Sequence, residues 1–350
     1  MSITYSPATS TPRVSASAPL TLAEPAPAPS HRLRRALSFE VIPPRSATQA
    51  ARMPELLRFL DSLNPDYLAV TSSARSNWLQ GTADFIEHIR AHTSLRPLAH
   101  LACTAGTQTE LLGWIDHLLG VGVRGFLAIR GDFPDGVSAV PTDHLPHADA
   151  LVQLLRQIEG DNVACLAAGR LGIGVAAYPS GHCESSGPDE DLDVLAAKQR
   201  NGADFAITQL FFDPYAYADL CRRADHAGIT IPIIPGILPI TDAKRLHTMG
   251  RLAGLPVPES LLARFDRAHD EATARRIGLE ITAEHTAALL EQGAHGLHFY
   301  TFNDLHTTED LLSALQRAGV SLTSFQPSPP PRRWPPSPNH TPTKEKDTQI

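Results

Sequence analysis

Glu40 interrupts an otherwise apolar run, Leu37-Ser38-Phe39-Glu40-Val41-Ile42. A carboxylate in such a run is partly desolvated, which raises a carboxyl's pKa and suits it to general-acid work. The same residue would equally serve as the structural partner of an arginine such as Arg45. Arg130-Gly131-Asp132 puts a cation, a flexible backbone amide and a carboxylate on one turn. That set can meet a polar ring edge or a phosphate, or it can close a turn with an internal ion pair. Lys198, in Leu195-Ala196-Ala197-Lys198, reads as solvated helix surface when taken alone. His88 and His92 are four apart with Glu87 beside them, but the order Glu-His-x-x-x-His is not the zincin HExxH. His144 and His147 flank Pro146 and read as loop, so no metal site is expected. Nothing marks Cys103 as a thiolate, and the chain carries neither a serine nucleophile elbow nor a Walker A loop.

The elements that must position these residues alternate along the chain. Near-continuous apolar runs at Leu37–Val41, Tyr67–Thr71, Leu98–Cys103, Gly125–Ile129, Ile173–Tyr178, Phe205–Thr208, Ile231–Ile234 and Gly296–Tyr300 are the pattern of parallel strands covered by helices. Between them, Thr107-x-x-Glu110 is a capping box ahead of an apolar stripe (Leu111, Leu112, Ile115, Leu118, Leu119), and Asp213-Pro214 opens a helix that ends near Gly228. Thr307-x-x-Asp310 is read as the start of the last helix, and Ser260 to Gln292 as extra helix before the final strand. Eight strand–helix units predict an α/β fold, a (β/α)8 TIM barrel, with a doubly wound open sheet as the alternative. Gly120-Val121-Gly122-Val123-Arg124-Gly125 matches GxGxxG, but it follows a helix and opens a strand, the reverse of a dinucleotide fingerprint.

A barrel enzyme gathers its polar residues just after its strands. Here Glu40 with Pro43-Pro44-Arg45, Thr71-Ser72-Ser73, His100 with Thr104, Arg130-Gly131-Asp132, Tyr178 with His182, Thr208-Gln209, Pro235-Gly236, and Tyr300, Thr301 and Asn303 all fall at such positions. The barrel is expected over residues 36–322. Tails at 1–35 and 323–350, rich in Pro, Ser and Thr, are expected to be disordered, because they bury too little apolar surface to offset ordering. The basic run His31-Arg32-Leu33-Arg34-Arg35 reads as part of a solvated arm rather than a targeting signal.

The 350 residues are 42% hydrophobic and 19% charged, with a net charge of −7, which argues against nucleic-acid binding through the overall field. No apolar run is long enough for a bilayer, and the N-terminus lacks a secretory pattern. Four widely spaced cysteines (Cys103, Cys165, Cys183, Cys221) suit a reducing, cytoplasmic compartment.

Ser38-Phe39-Glu40 with Pro43-Pro44-Arg45, His100-Leu101-x-Cys103, Ala128-Ile129-Arg130-Gly131-Asp132, Ala176-Ala177-Tyr178-Pro179, Lys198 with Gly202-Ala203, Ala206-Ile207-Thr208-Gln209 with Phe212-Asp213, Ile234-Pro235-Gly236-Ile237-Leu238-Pro239 and His298-Phe299-Tyr300-Thr301-x-Asn303 together resemble the methylenetetrahydrofolate reductase family, over about residues 36–318. The resemblance implies an FAD-containing barrel that takes hydride from NADH or NADPH and reduces 5,10-methylenetetrahydrofolate to the 5-methyl form, in one-carbon and methionine metabolism. It implies Glu40 as general acid and Asp132 as a carboxylate beside the flavin that also favours a cationic substrate intermediate. It implies FAD contacts from Thr71, His100, Arg130, Gly131, Asp132, Ala148, Tyr178, His182, Asp191 and Lys198, which would meet the cofactor's phosphates or ribose. Substrate contacts would come from Asp132, Gln209 and Arg245, and homo-oligomers are expected.

Departures from the family pattern collect where the folate tail and pyridine nucleotide would lie: Ser72-Ser73-Ala74-Arg75, Ser180, Cys183 after His182, Asp242, Arg245, Met249, and Asp304 where an arginine is common. Asp304 should weaken binding of a glutamate tail unless Arg245 compensates. The alternatives are a flavin oxidoreductase of this fold with another acceptor, a non-catalytic flavin- or folate-binding homologue, and a Schiff-base aldolase using Lys198.

Overall fold

The structure is a computed structural model that describes residues 35–73, 78–131, 140–164, 166 and 169–322. The expectations for residues 1–34 and 323–350, and for Ala74, Arg75, Asp132 and Cys165, fall outside the described residues.

Strands β1 (Ala36–Val41), β2 (Tyr67–Val70), β3 (Pro97–Ala102), β4 (Gly125–Ile129), β5 (Gly172–Ala177), β6 (Phe205–Thr208), β7 (Ile233–Ile234), β8 (Gly236–Ile237) and β9 (Gly296–Tyr300) form one parallel sheet, ordered β7-β6-β5-β4-β3-β2-β1-β9-β8. Strands β7 and β8 are a single strand position broken at Pro235, which has no N–H to give the ladder. One half pairs with β6 and the other with β9, so the sheet rolls into the expected (β/α)8 barrel. The seam is sewn by His298 N to Pro235 O (3.0 Å), Gly236 N to Thr208 Oγ1 (2.9 Å) and the Tyr300 hydroxyl to Thr208 O (2.8 Å). A β-carbon on Gly236 would lie 2.7 Å from Thr208 O, so only glycine lets the two edges approach.

Ten α-helices alternate with the strands among the described residues: α1 (Ala47–Ser62), α2 (Trp78–His92), α3 (Gln108–Gly120), α4 (Ala148–Asp161), α5 (Pro188–Arg200), α6 (Pro214–His226), α7 (Ala243–Ala253), α8 (Glu259–Ala263), α9 (Glu271–Glu291) and α10 (Leu305–Arg317). The Thr107/Glu110 capping box and the Asp213 cap are present, and α6 ends before Gly228 at φ +74°. Two boundaries differ from the sequence reading. Asp304, not Thr307, caps α10, accepting from Thr307 N at 3.0 Å and Thr307 Oγ1 at 2.6 Å, while Thr307 is buried. The expected 260–292 helix is split, because Asp270 caps a new start by accepting from Thr273 N at 2.6 Å. None of the helices among the described residues is long and apolar enough to cross a membrane.

Leu37, Phe39 and Val41 of β1 pack with the helices in the main core. The alternate residues, Ser38 and Glu40, join the polar side chains of the barrel interior, above a small apolar cluster of Ala69, Leu98, Leu127 and Ile207. That alternation explains the interrupted run: period-2 geometry sends outward residues under helices and inward ones into the barrel lumen.

Candidate active site

Glu40 lies between two histidines contributed by different strands. Its Oε2 is 3.5 Å from His100 Nε2 on β3 and 3.6 Å from His298 Nε2 on β9. Arg45, the alternative partner, instead anchors its own amide on Gln49 Oε1 (2.7 Å). Strand register places Ser38 opposite His298 and Glu40 opposite Tyr300. The carbonyl of Glu40 accepts from Thr301 Oγ1 (2.6 Å), and the Asn303 amide forks onto Ile42 N and O (2.9 and 2.7 Å), so the exits of β1 and β9 are clamped together. Phe302 and Asn303 have φ of +50° and +59°, a left-handed pair that this clamp holds in place.

The sequence argument expects the Glu40 carboxyl to be raised by burial. Burial does push it up, but the interactions with His298 and His100 more than offset this, so it sits below its ordinary value. This corrects the expectation: residues remote in sequence bring two ring nitrogens to the carboxylate. Burial lowers the His100 imidazole against the pull of Glu40, and burial followed by Glu40 pushes the Tyr300 hydroxyl well up.

Around the mouth, the structure brings most of the expected cofactor residues to consecutive strand ends. Thr71 follows β2, where its amide donates to Val41 O (3.1 Å). Gly131 follows β4 with φ +86°, and a β-carbon there would collide with Thr104 Oγ1. Arg130 pairs through both terminal nitrogens with Glu184, one contact being 3.0 Å. Ala148 is buried at the start of α4. Tyr178 meets the His182 ring edge-on at 4.7 Å, and the His182 amide donates to Asp191 Oδ2 (3.1 Å).

Lys198 is not the solvated residue that its local sequence suggests. It is 6% exposed, its Nζ donates to Ala176 O (2.9 Å) and lies 5.9 Å from the Tyr178 ring centroid. Burial lowers it to about 8, against the pull of Asp149 and Asp191. The missed signal is spacing: Lys198 continues the buried stripe Leu192, Leu195 at three-residue steps.

Gln209 is exposed at the end of β6, its Oε1 accepting from Leu210 N (2.8 Å). Arg245 lies in the first turn of α7, half-buried, with Nε donating to Pro239 O (3.1 Å) and its guanidinium 4.5 Å over the Phe302 ring. Met249 packs with the α7–α9 cluster. His298 and Ser38 carry no role in the sequence reading, because a histidine inside an apolar strand looks like core. Their signal is the β1–β9 register, which only the closed barrel supplies.

A flavin dinucleotide asks for polar atoms at the strand ends, close backbone approach and a cation, and the described residues fit it. Ser72 Oγ and Thr104 Oγ1 are buried without a hydrogen-bond partner, Gly131 admits no side chain, and Lys198 is a buried cation within electrostatic reach of Asp149 and Asp191. Among the described residues, no group of three or more His, Cys, Asp or Glu could hold a metal ion.

Comparison with known proteins shows the family. The family profile described as Methylenetetrahydrofolate reductase matches residues 30–316. The chain is 33% identical over 268 residues to 5,10-methylenetetrahydrofolate reductase of Escherichia coli (strain K12), covering 76% of this chain and 86% of that protein. It is 30% identical over 267 residues to 5,10-methylenetetrahydrofolate reductase of Buchnera aphidicola subsp. Schizaphis graminum, covering 76% and 87%. It is 30% identical over 288 residues to Methylenetetrahydrofolate reductase 2 of Schizosaccharomyces pombe, covering 76% of this chain and 43% of that longer protein. Among solved structures, an uncharacterized protein from Clostridium thermocellum that binds two copies of 5-methyl-5,6,7,8-tetrahydrofolic acid has a TM-score of 0.54 at 14% identity, covering 82% of this chain and 97% of that one, a likeness of fold alone.

Proposed function

The chain belongs to the methylenetetrahydrofolate reductase family, and from that premise we propose that it reduces 5,10-methylenetetrahydrofolate to 5-methyltetrahydrofolate with a bound FAD and with NADH or NADPH as hydride donor. The observation that carries the reading is the Glu40 carboxylate, inside the barrel mouth between His100 and His298. The reaction needs a proton on one bridging nitrogen, which breaks that nitrogen's bond to the methylene carbon, and a hydride on the carbon itself. Bound FAD supplies the two-electron hydride chemistry.

The protein's own residues supply the rest. Glu40 delivers the proton, which it must first take up, because His298 and His100 hold its proton affinity below the ordinary carboxyl value. Lys198, Arg130 and the amide of Gly131 meet the cofactor's anionic and polar edges, with Thr71, His100, Ala148, Tyr178, His182 and Asp191 completing its cradle. Asp132 supplies the negative charge that favours a cationic substrate. Gln209 hydrogen-bonds the pterin, and Arg245 meets the carboxylates of the glutamate tail.

A second reading, the same chemistry with a different acceptor, is favoured by Asp304. An acidic N-cap stands in α10 where the family commonly has an arginine. One experiment tests both. The purified protein is reduced anaerobically with NADH or NADPH, methylenetetrahydrofolate is added, and the visible spectrum is followed. Flavin reoxidation with formation of methyl-folate is expected; a flavin that stays reduced selects the second reading, and absence of flavin after FAD addition rejects both.

A further inference from the structure

We infer that His298, oriented by Ser38, is a positioning residue for Glu40 that sets how tightly this carboxyl holds its proton. The inference rests on the reading of Glu40 as the proton donor.

His298 is fully buried, and its Nδ1 lies 2.9 Å from Ser38 Oγ. The serine hydroxyl has one hydrogen to give and lies near Nδ1 at 2.9 Å, Leu297 O at 3.3 Å and the Tyr67 hydroxyl. The inferred arrangement has Ser38 donate to Nδ1, which leaves the ring proton on Nε2, facing the carboxylate. That atom is buried with no hydrogen-bond partner, and it faces Glu40 Oε2 at 3.6 Å. The ring is held from behind as well. Its backbone N–H crosses the barrel seam to Pro235 O (3.0 Å), and the Tyr67 ring stacks on it at 6.2 Å. An Nε2–H so placed presents a partial positive charge to the carboxylate, while burial alone would favour the protonated form.

The other groups at this locus are accounted for. His100 approaches Glu40 from β3, Tyr300 stands beside His298 on β9 with its hydroxyl spent on Thr208 O, and Tyr67 comes from β2. Tyr178, after β5, acts on Tyr300. Among these groups, only His298 has its second ring nitrogen tied to a residue of the strand that carries Glu40.

The full-length protein carrying FAD tests the inference with two readouts. One is the Glu40 carboxyl band in infrared difference spectra across pH, identified by its loss in Glu40→Gln. The other is the pH dependence of flavin reoxidation by methylenetetrahydrofolate. In His298→Leu the donor is gone and only His100 still opposes burial, so both midpoints are expected to move to higher pH by about one unit, a tenfold change in proton affinity. His298→Gln, which restores an N–H toward the carboxylate, is expected to return most of the shift, and Ser38→Ala to shift in the same direction by less. Lower rates with unmoved midpoints in His298→Leu and Ser38→Ala, or equal shifts in the Leu and Gln variants, would overturn the inference. If His298→Leu does not fold, Ser38→Ala, which loses one oxygen, decides alone. A moved infrared midpoint in a protein whose flavin the folate never reoxidises would retain the inference and reject the functional reading.

Discussion

Thr104 Oγ1 occupies the space that a β-carbon on residue 131 would need, and Gly131 turns through a φ of +86° that other residues rarely adopt. The Thr104 amide also donates to Arg130 O at 3.0 Å, so the exits of β3 and β4 are locked around a bare stretch of backbone. Gly131→Ala therefore meets both a left-handed penalty of roughly 1–2 kcal/mol and a collision. The expected outcome is a folded barrel that loses flavin: thermal unfolding a few degrees lower, and FAD affinity at least tenfold weaker by equilibrium dialysis. Full flavin retention would show that the cofactor does not approach this turn.

Lys198 predicts a pH dependence of cofactor binding. Burial brings it to about 8 in the folded chain, well below its ordinary value. Below pH 8 the ammonium is present to meet an anion; above it, binding must first take up a proton. FAD affinity is expected to fall as pH rises past about 8, and Lys198→Met to weaken binding and flatten that dependence. Stability runs the other way. The unfolded lysine holds its proton up to its ordinary value near 10.4, so between about 8 and there the folded state gains stability with rising pH. Fluorescence titration of FAD across pH and denaturant unfolding of the flavin-free protein check the two signs separately.

The barrel was largely legible in the sequence because its strands are buried on both sides, and apolar runs bounded by turns survive any local ambiguity. The broken seventh strand was not, since Pro235 and Gly236 read as a loop until the two barrel edges meet across them. At the site, Glu40 stood out as a charge in an apolar run. Its pKa direction did not follow, because that depends on His100 and His298, 60 and 258 residues away in the chain. The sequence reads Asp304 only as a departure at the ligand site; in the fold it also caps α10, so the helix starts three residues before the Thr307 that the sequence suggests.

Glu40→Gln keeps the size and polarity of the side chain and removes the transferable proton. Flavin should remain bound, and its reduction by NADH or NADPH, a hydride transfer needing no proton from Glu40, should proceed. Reoxidation by methylenetetrahydrofolate should slow by about 10²–10⁴-fold, the range for loss of a general acid. Stopped-flow measurement of the two half-reactions separates them. Equal loss of both would sink the general-acid assignment.

Arg245 and Asp304 together predict how the substrate tail is held. The Arg245 guanidinium lies 4.5 Å over Phe302, which is 37% exposed, while Asp304 lies close enough to act on it electrostatically. A cation backed by an aromatic face and tethered to Pro239 O is pre-oriented, which lowers the entropic cost of holding a carboxylate. Arg245→Ala is expected to raise KM for methylenetetrahydrofolate about tenfold with kcat little changed, the signature of lost uniform binding. Asp304 makes the opposing test. Asp304→Ala removes the α10 cap and should cost about 1 kcal/mol of stability. Asp304→Asn keeps an N-capping oxygen while deleting the negative charge, so stability should hold and KM should fall. Both KM effects should shrink at high salt, because they are charge effects at a half-exposed site. An Asp304→Asn variant with unchanged KM, alongside an Arg245→Ala variant whose defect lies in kcat, would remove Arg245 from the tail site and make its stacking on Phe302 purely structural.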